Sequence, residues 1–407
     1  MIPMESRGGA SVLTLPSLDK CPHVGRWQHD LVTETRLLVA VGQAAHLECD
    51  AVLDLGPFHP SAHAGLQLEI TTRDGHITSV DPRVGLMHRS AEKLFEVRDY
   101  RQILMLANRH DWLAPFSSEL GVALVVESAT GIVPSQRATW SRMVLAEATN
   151  IMAGLAFLGS ADPQGSLHAL LRHREEWTAW LERATGSRVH PMITRIGGLA
   201  EPISDEVLTG AVQLAAKLSV EMEKVHSTLD RLYLELDGLA VLTTESALHF
   251  AVSGPVARAS GIDLDIRRTA PYLAYDQLAD HLSLTTSTAG DAAARYRALV
   301  EQVITSALVL PMCVDQVRAC SDQPIDVPLP KTLKVPEGTY YVRTENPMGT
   351  SGWLLDSTGD KTPWRLKIRS SSFANLQAMP TALVGMPIDR LAEAVRSFFV
   401  LMGDVDR

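Results

Sequence analysis

The spacing of apolar residues changes period once along this chain, and that change limits the folds open to it. Leu66-Gln67-Leu68-Glu69-Ile70 alternates with period two, and Arg73-Asp74-Gly75-His76 reads as a hairpin turn into Ile77-Thr78-Ser79-Val80. Shorter strand-like stretches precede it at 36–41 and 51–55. From Ala91 onward the spacing is helical, over 91–108, 115–128 and 134–158, the last opened by a proline in its first turn and rich in Ala, Leu and Met. Further helices are predicted over 167–183, 204–236 and 289–320, with Pro311 as a kink in the last. The proline-rich stretch 323–336 reads as a connector, strand character returns at 340–343 and 364–368, and two short helices end the chain. The expected fold class is α+β, a central helical bundle with small antiparallel β regions near both ends. The expected division is an irregular arm over 1–35, a small β region over 36–90, a helical bundle over 91–322 and a C-terminal α+β part over 323–407.

Composition removes several function classes. A net charge of −10 over 407 residues lacks the concentrated Lys and Arg on which nucleic-acid affinity rests, so nucleic acid is not an expected partner. The uncharged apolar run 303–314 contains Pro311 and is too short to span a bilayer, and the N-terminus lacks the basic-then-apolar order of a signal sequence. A cytoplasmic chain that meets a membrane only through other proteins is expected. The cysteines at 21, 49, 313 and 320 form no C-x-x-C pair, so no zinc ribbon and no self-contained iron–sulfur site is written here. Cys313 and Cys320 share a helix face about 10 Å apart, too far for a disulfide, and read as ordinary buried thiols. There is no G-x-G-x-x-G after a strand, no P-loop and no G-x-S-x-G elbow, which weighs against a free-standing oxidoreductase with its own cofactor cradle.

Chemistry concentrates in two blocks, Gly56-Pro57-Phe58-His59-Pro60-Ser61-Ala62-His63 and Asp81-Pro82-Arg83-Val84-Gly85-Leu86-Met87-His88-Arg89-Ser90-Ala91-Glu92-Lys93. His59 and His63 stand either as turn residues bonded to backbone or as proton donors to a ligand. A zinc pair at this spacing needs a helix and a third ligand, whereas Pro60 argues for a turn, so no metal is assigned. Arg89, Glu92 and Lys93 read either as a solvated helix start or as a face near a partner. Asp263, Asp265, Arg267 and Arg268, acid, acid, base, base, read as a structural salt-bridge network.

Read together, distant blocks carry a resemblance. His59-Pro60-Ser61-Ala62-His63, His88-Arg89-Ser90-Ala91-Glu92-Lys93 and Ser253-Gly254-Pro255 come first in the chain. Ser260-Gly261-Ile262-Asp263-Leu264-Asp265-Ile266-Arg267-Arg268-Thr269-Ala270-Pro271-Tyr272 with Tyr275-Asp276 follows, and then the ending Gly403-Asp404-Val405-Asp406-Arg407. In that order they resemble the 49-kDa-type (D-type) subunits of proton-pumping NADH:quinone oxidoreductase (complex I), from about residue 54 to the end. The resemblance implies a fold shared with the large subunit of nickel–iron hydrogenases. Arg89-Ser90-Ala91-Glu92-Lys93 and the C-terminus lack the thiolates that nickel and low-valent iron require, so the cavity is expected without its metal.

The resemblance further implies a quinone headgroup pocket in that cavity. By position His63 is the imidazole facing quinone, with Asp162 as its carboxylate partner; these two are the expected catalytic residues. His63, Trp112 and His59 are the expected quinone-binding residues, Trp112 standing in Arg109-His110-Asp111-Trp112 where the family has a tyrosine. Indole donates one hydrogen bond but releases no proton as a phenol does. Arg89 and His88 are expected at an interface near a partner's iron–sulfur cluster. The implied activity is that of a translocase component, active only in the assembled complex. Quinone is the substrate, and NADH, FMN and iron–sulfur clusters are held by other subunits. The implied partners are B-, C-, H- and I-type subunits, with peripheral attachment to the cytoplasmic side of the cell membrane. The alternative is a catalytically silent scaffold in a hydrogenase-related or ferredoxin-fed membrane complex, which the tryptophan at 112 favours.

Overall fold

The computed structural model describes residues 65–161, 165–282 and 284–407, together with the backbone of four earlier strands. Strands β1 (Ser6–Arg7), β2 (Ala10–Thr14), β3 (Thr35–Ala40), β4 (Ala51–Asp54), β5 (Gln67–Arg73) and β6 (His76–Arg83) form one sheet in the order β1-β2-β4-β3-β5-β6. The β5–β6 hairpin turns through Asp74 and Gly75, both at positive φ, and places Leu68 and Ile70 in the core. The sheet is mixed where small antiparallel regions were expected. β4 lies parallel to both β2 and β3, and β1 and β2 fall within the stretch read as an irregular arm.

The bundle follows as α1 (Ala91–Phe95), α2 (Tyr100–Ala107), α3 (Pro115–Thr130), α4 (Gln136–Ala161), α5 (Ala169–Thr185), β7 (Thr194–Arg195), β8 (Gly198–Leu199), α6 (Asp205–Lys224) and α7 (His226–Leu236). Next come α8 (Thr244–His249), α9 (Gly254–Ala259), α10 (Ile266–Thr269) and α11 (Ala292–Ala319). A sheet of β9 (Gly338–Asn346), β10 (Gly349–Ser357) and β11 (Arg365–Arg369) then precedes α12 (Ser371–Leu383), α13 (Leu391–Arg396) and α14 (Met402–Val405). The helical run at 91–108 is divided because Asp99 starts a new helix. Its carboxylate accepts from the backbone N–H of Arg101 and Gln102, and the Gln102 side chain accepts from the Asp99 N–H. The long helix predicted over 204–236 is likewise interrupted at Val225, whereas α11 runs through Pro311.

Helix α4 is the axis of the larger core, buried on every face from Ala138 to Ala161. It packs closely on α11 because position 154 is glycine: a Cβ there would lie 2.2 Å from Val303 Cγ2. Both helices are long and apolar enough to cross a bilayer by length and composition, but α4 is wholly and α11 mostly buried within this fold. Glu147 of α4 is fully buried and accepts two bonds from Arg267 Nη1, at 3.1 and 3.0 Å, and one from Tyr275 Oη at 2.6 Å. Arg267 in turn holds Asp265 at 2.7 Å, and Arg268 pairs with Asp263, so the run 263–268 forms the salt bridges its charge pattern predicts. The Ser253-Gly254-Pro255 motif meets the β9–β10 turn backbone to backbone. A Cβ on Gly254 would lie 2.6 Å from the Met348 carbonyl, and Ser253 Oγ accepts from Thr350 N at 3.0 Å.

The C-terminal segment lies inside the molecule, with Ser397 to Asp406 all buried. Asp404 accepts from Ser370 Oγ at 2.7 Å and from Ser372 N at 3.0 Å. Asp406 accepts from the backbone N–H of Gly85 at 2.7 Å and of Met87 at 2.8 Å. Gly403 lies flat against Trp112, where a Cβ would come within 2.0 Å of the indole and 2.2 Å of the His110 carbonyl oxygen.

These contacts set the cost of removing them. Arg267→Ala leaves Glu147 and Asp265 as unpaired buried carboxylates and costs about 3–5 kcal/mol in denaturant unfolding. Arg318→Ala, in the half-exposed pair with Asp205, costs under about 1 kcal/mol in the same assay. Gly403→Val, which overfills the contact with Trp112, costs about 1–3 kcal/mol or more, and Trp112→Ala in the same chain recovers part of that loss.

Candidate functional site

The turn from α2 into α3 carries Arg109-His110-Asp111-Trp112, and Trp112 forms one wall of a cavity of 230 Å³. Asp111 fixes that turn by accepting from Ala114 N at 3.0 Å, after which Pro115 opens α3. Leu113, Phe116, Met152 and Leu181 complete the apolar side of the cavity, and Thr149, Thr178, Arg174, Glu175 and Arg188 give it a polar side. The remaining wall, Val189 and Pro191, belongs to a loop held down by Glu119. That buried carboxylate accepts from Asn108 Nδ2 at 2.7 Å, Met192 N at 2.8 Å and Thr194 N at 3.2 Å, and burial pushes its carboxyl pKa up. Arg174 Nε is buried with no hydrogen-bond partner among the described residues, and burial pulls its guanidinium pKa down. An aromatic and aliphatic wall opposite a buried donor suits a flat ring bearing oxygen acceptors.

Behind Trp112 the site is acidic. His110, Asp111 and Asp404 are all buried, and His110 Nε2 lies 3.8 Å from Asp404 Oδ1. Burial pulls the His110 pKa down against the pull of Asp404, so the ring favours its neutral form. Its edge meets the Trp353 ring at 6.0 Å between centroids. Asp111 is pushed up to about 8, first by burial and then by the neighbouring Asp404, and its Oδ2 lies 3.3 Å from Asn346 Nδ2. The residue before Asn346, Glu345, is pushed up to about 7, chiefly by burial and then by Asp265, and bonds Arg258 at 3.3 Å and Ile266 N at 3.0 Å.

Of the residues expected from sequence, Trp112, His88 and Arg89 are described, whereas His59, His63 and Asp162 lie outside the described residues. Trp112 is partly buried and lines the cavity. Arg89 is exposed and donates to the Arg109 carbonyl at 3.1 Å, which ties the start of α1 to the Trp112 segment. His88, also exposed, places Nδ1 3.2 Å from the Asp406 carbonyl oxygen. These three residues therefore meet around one turn and the C-terminal segment. Glu92 is drawn inward: it binds Arg365 at 2.7 Å, Arg407 at 3.3 Å and Ile368 N at 3.0 Å, while Lys93 stays exposed and pairs with Glu96. No group of three or more His, Cys, Asp or Glu among the described residues is placed to hold a metal ion.

Sequence reasoning did not single out Arg174, Thr149 or Thr178 as cavity residues, or Asp111 and Asp404 as a buried pair. Thr149 and Thr178 sit in ordinary helical text and carry no signal. Arg174 had one, a charge three and four positions before the buried Trp177 and Thr178 and therefore on their helix face.

Comparison with known proteins agrees with the resemblance. The family model described as "Respiratory-chain NADH dehydrogenase, 49 Kd subunit" matches residues 164–407. The NADH-quinone oxidoreductase D subunit 2 of Salinispora arenicola is 46% identical over 372 residues, covering 89% of this chain and 95% of that protein. The NADH-quinone oxidoreductase D subunit 1 of Streptomyces coelicolor is 42% identical over 384 residues, covering 92% of this chain and 99% of that protein. The corresponding NADH-quinone oxidoreductase D subunit of Clostridium beijerinckii is 31% identical over 366 residues, covering 88% of this chain and 97% of that protein. This chain belongs to the family of the 49 kDa subunit of respiratory-chain NADH dehydrogenase, the D subunits of NADH-quinone oxidoreductase.

Proposed function

We propose that this chain is the quinone-site subunit of a proton-translocating NADH:quinone oxidoreductase and that the Trp112 cavity receives the quinone headgroup. One observation carries the reading: family membership coincides with a cavity whose aromatic wall is the residue that the sequence places at the family's tyrosine position. The cavity has the volume of a single substituted ring, an indole face to lie along it and the buried Nε–H of Arg174 for an oxygen acceptor.

In this reading NADH, FMN and iron–sulfur clusters stay in partner subunits, and electrons reach quinone from a partner's cluster. His63, held by Asp162, donates a hydrogen bond to a quinone carbonyl, because an imidazole near neutrality both donates and passes a proton. His59 flanks it, and Trp112 holds the ring. The exposed residues Arg89 and His88, tied to the Trp112 segment and the C-terminal segment, face the partner that carries the cluster. The cavity is then the remnant of a metal cradle in which Arg89-Ser90-Ala91-Glu92-Lys93 replaces a thiolate-bearing segment. B-, C-, H- and I-type subunits complete the enzyme at the cytoplasmic face of the membrane. We divide the chain functionally into the 1–35 arm, the 36–90 region with the histidine turn, the 91–322 bundle that builds the cavity and the 323–407 part that seals it. The silent-scaffold alternative is not favoured, since the relatives named above are all NADH-quinone oxidoreductase subunits.

The test is inhibitor-sensitive NADH:quinone activity of the purified membrane complex. Trp112→Ala raises the quinone KM by about five- to tenfold, the loss of one aromatic contact of about 1 kcal/mol. His63→Ala lowers kcat by on the order of a hundredfold. Trp112→Tyr, which restores a phenol, raises turnover. Unchanged KM and kcat in both alanine variants reject the site.

A further inference from the structure

The Trp112 cavity contains one charge that its own walls leave unbalanced. Arg188 is held by Glu175 and, at 3.0 Å, by Glu182, so the acid that lines the cavity is already engaged. Arg174, on the same lining, forms no ion pair among the described residues, and its Nε is buried with no hydrogen-bond partner there. A guanidinium keeps its charge at any pH a protein meets, so an unpaired cation borders the cavity. The two hydroxyls on the lining do not share its role. Thr149 Oγ1 donates to the Leu145 carbonyl at 2.7 Å and Thr178 Oγ1 to the Arg174 carbonyl at 3.0 Å, so each hydroxyl hydrogen is committed to its own helix. What they offer a ligand is lone pairs. An oxygen on a ring in this cavity therefore finds its N–H donors on the neutral indole of Trp112 and the charged guanidinium of Arg174.

We propose that Arg174 makes this cavity selective for a ring whose oxygen carries negative charge, over the same ring with a neutral oxygen. Hydrogen bonds from a guanidinium to an anionic oxygen are roughly twice as strong as those to a neutral carbonyl, and apolar walls preserve that difference. The role in catalysis rests on the quinone reading of the cavity. Two electrons from a partner's iron–sulfur cluster and two protons from solvent turn quinone into quinol, and negative charge develops on a ring oxygen before a proton neutralises it. Arg174 donates hydrogen bonds to that oxygen and keeps its own protons, so it lowers the barrier without entering the balance. Neutral quinone gains less from the same contact, which places the effect of Arg174 on kcat more than on KM. The aromatic wall suits either charge state, so Trp112 grips the ring and Arg174 discriminates its charge.

Pentafluorophenol, ionised at neutral pH, and its neutral methyl ether are a matched pair of single-ring probes whose binding to the purified, oxidised complex is read by fluorine NMR. The wild-type complex binds the phenolate on the order of tenfold more tightly than the ether, and quinone displaces both. Arg174→Gln reduces that preference to about twofold or less, whereas Arg174→Lys keeps the charge and retains part of it. In NADH:quinone turnover, Arg174→Gln lowers kcat by about tenfold and leaves the quinone KM within about twofold of wild type. Equal affinity for the two probes in wild type overturns the proposal, and this comparison decides the matter if the variants do not assemble. So does a phenolate preference that survives in Arg174→Gln. A bound phenolate that depends on Arg174 but that quinone does not displace supports the charge selectivity and rejects the quinone reading of the cavity, with the catalytic role that rests on it.

Discussion

The buried C-terminal segment is the constraint on which the site depends. Asp404 and Asp406 carry charge into the interior, and each is stabilised only because N–H and O–H groups from distant segments converge on it. Charge-assisted bonds of this kind contribute about 1.5–3 kcal/mol each, and leaving either carboxylate without them would cost more than that. The same segment supplies Gly403, the one residue small enough to let Trp112 lie flat. The position of the cavity wall is therefore fixed by a peptide almost three hundred positions further along the chain. Glu92 completes the closure by holding Arg407 and Arg365, so the start of α1, the strand β11 and the C-terminal segment are bound into one body.

A second constraint lies in the larger core. Glu147 sits in the middle of a helix with no exposed face, which is tolerable only because Arg267 and Tyr275 reach it. Asp265, Glu345, Arg258 and Gln302 extend this array to the end of β9, and Asn346 there touches Asp111. Such arrays contribute less to stability than hydrophobic residues of equal volume, but they fix register: α4, α10 and β9 have only one arrangement in which each of these charges has its partner. Glu147, Asp265 and Glu345 outnumber the two guanidiniums they face, and this imbalance adds to burial in pushing Glu345 upward.

Most of the helical framework was legible because helix spacing is a local signal. The helices over 115–130, 136–161 and 292–319 follow directly from their apolar text. Errors arose where a local stop competes with periodicity. Asp99 with Gln102 is a capping box that the 91–108 pattern conceals, and Val225 interrupts a run with no glycine or proline to mark it. The parallel placement of β4 was illegible for a different reason, since strand text records that residues join a sheet but not which neighbour they choose. At the site, Trp112 was legible only through family position, and its distinctness from an ordinary core aromatic came from the cavity it lines. The burial of Asp404 was beyond sequence reasoning, because an acidic residue near a terminus is solvated in most chains.

Putting tryptophan at this turn changes two properties at once. In the proposed quinone pocket the indole enlarges the apolar wall available to a ring, and it lacks the proton that a phenol at the same place could release. A site altered only in the first way would bind an oxidised ring well and reduce it slowly. The neighbouring Asp111 is buried, and burial is the first cause that pushes its carboxyl up to about 8. The same turn is tied to the far end of the chain, because Gly403 packs on both the Trp112 indole and the His110 carbonyl, so the aromatic wall and the buried acid beside it are positioned by one contact.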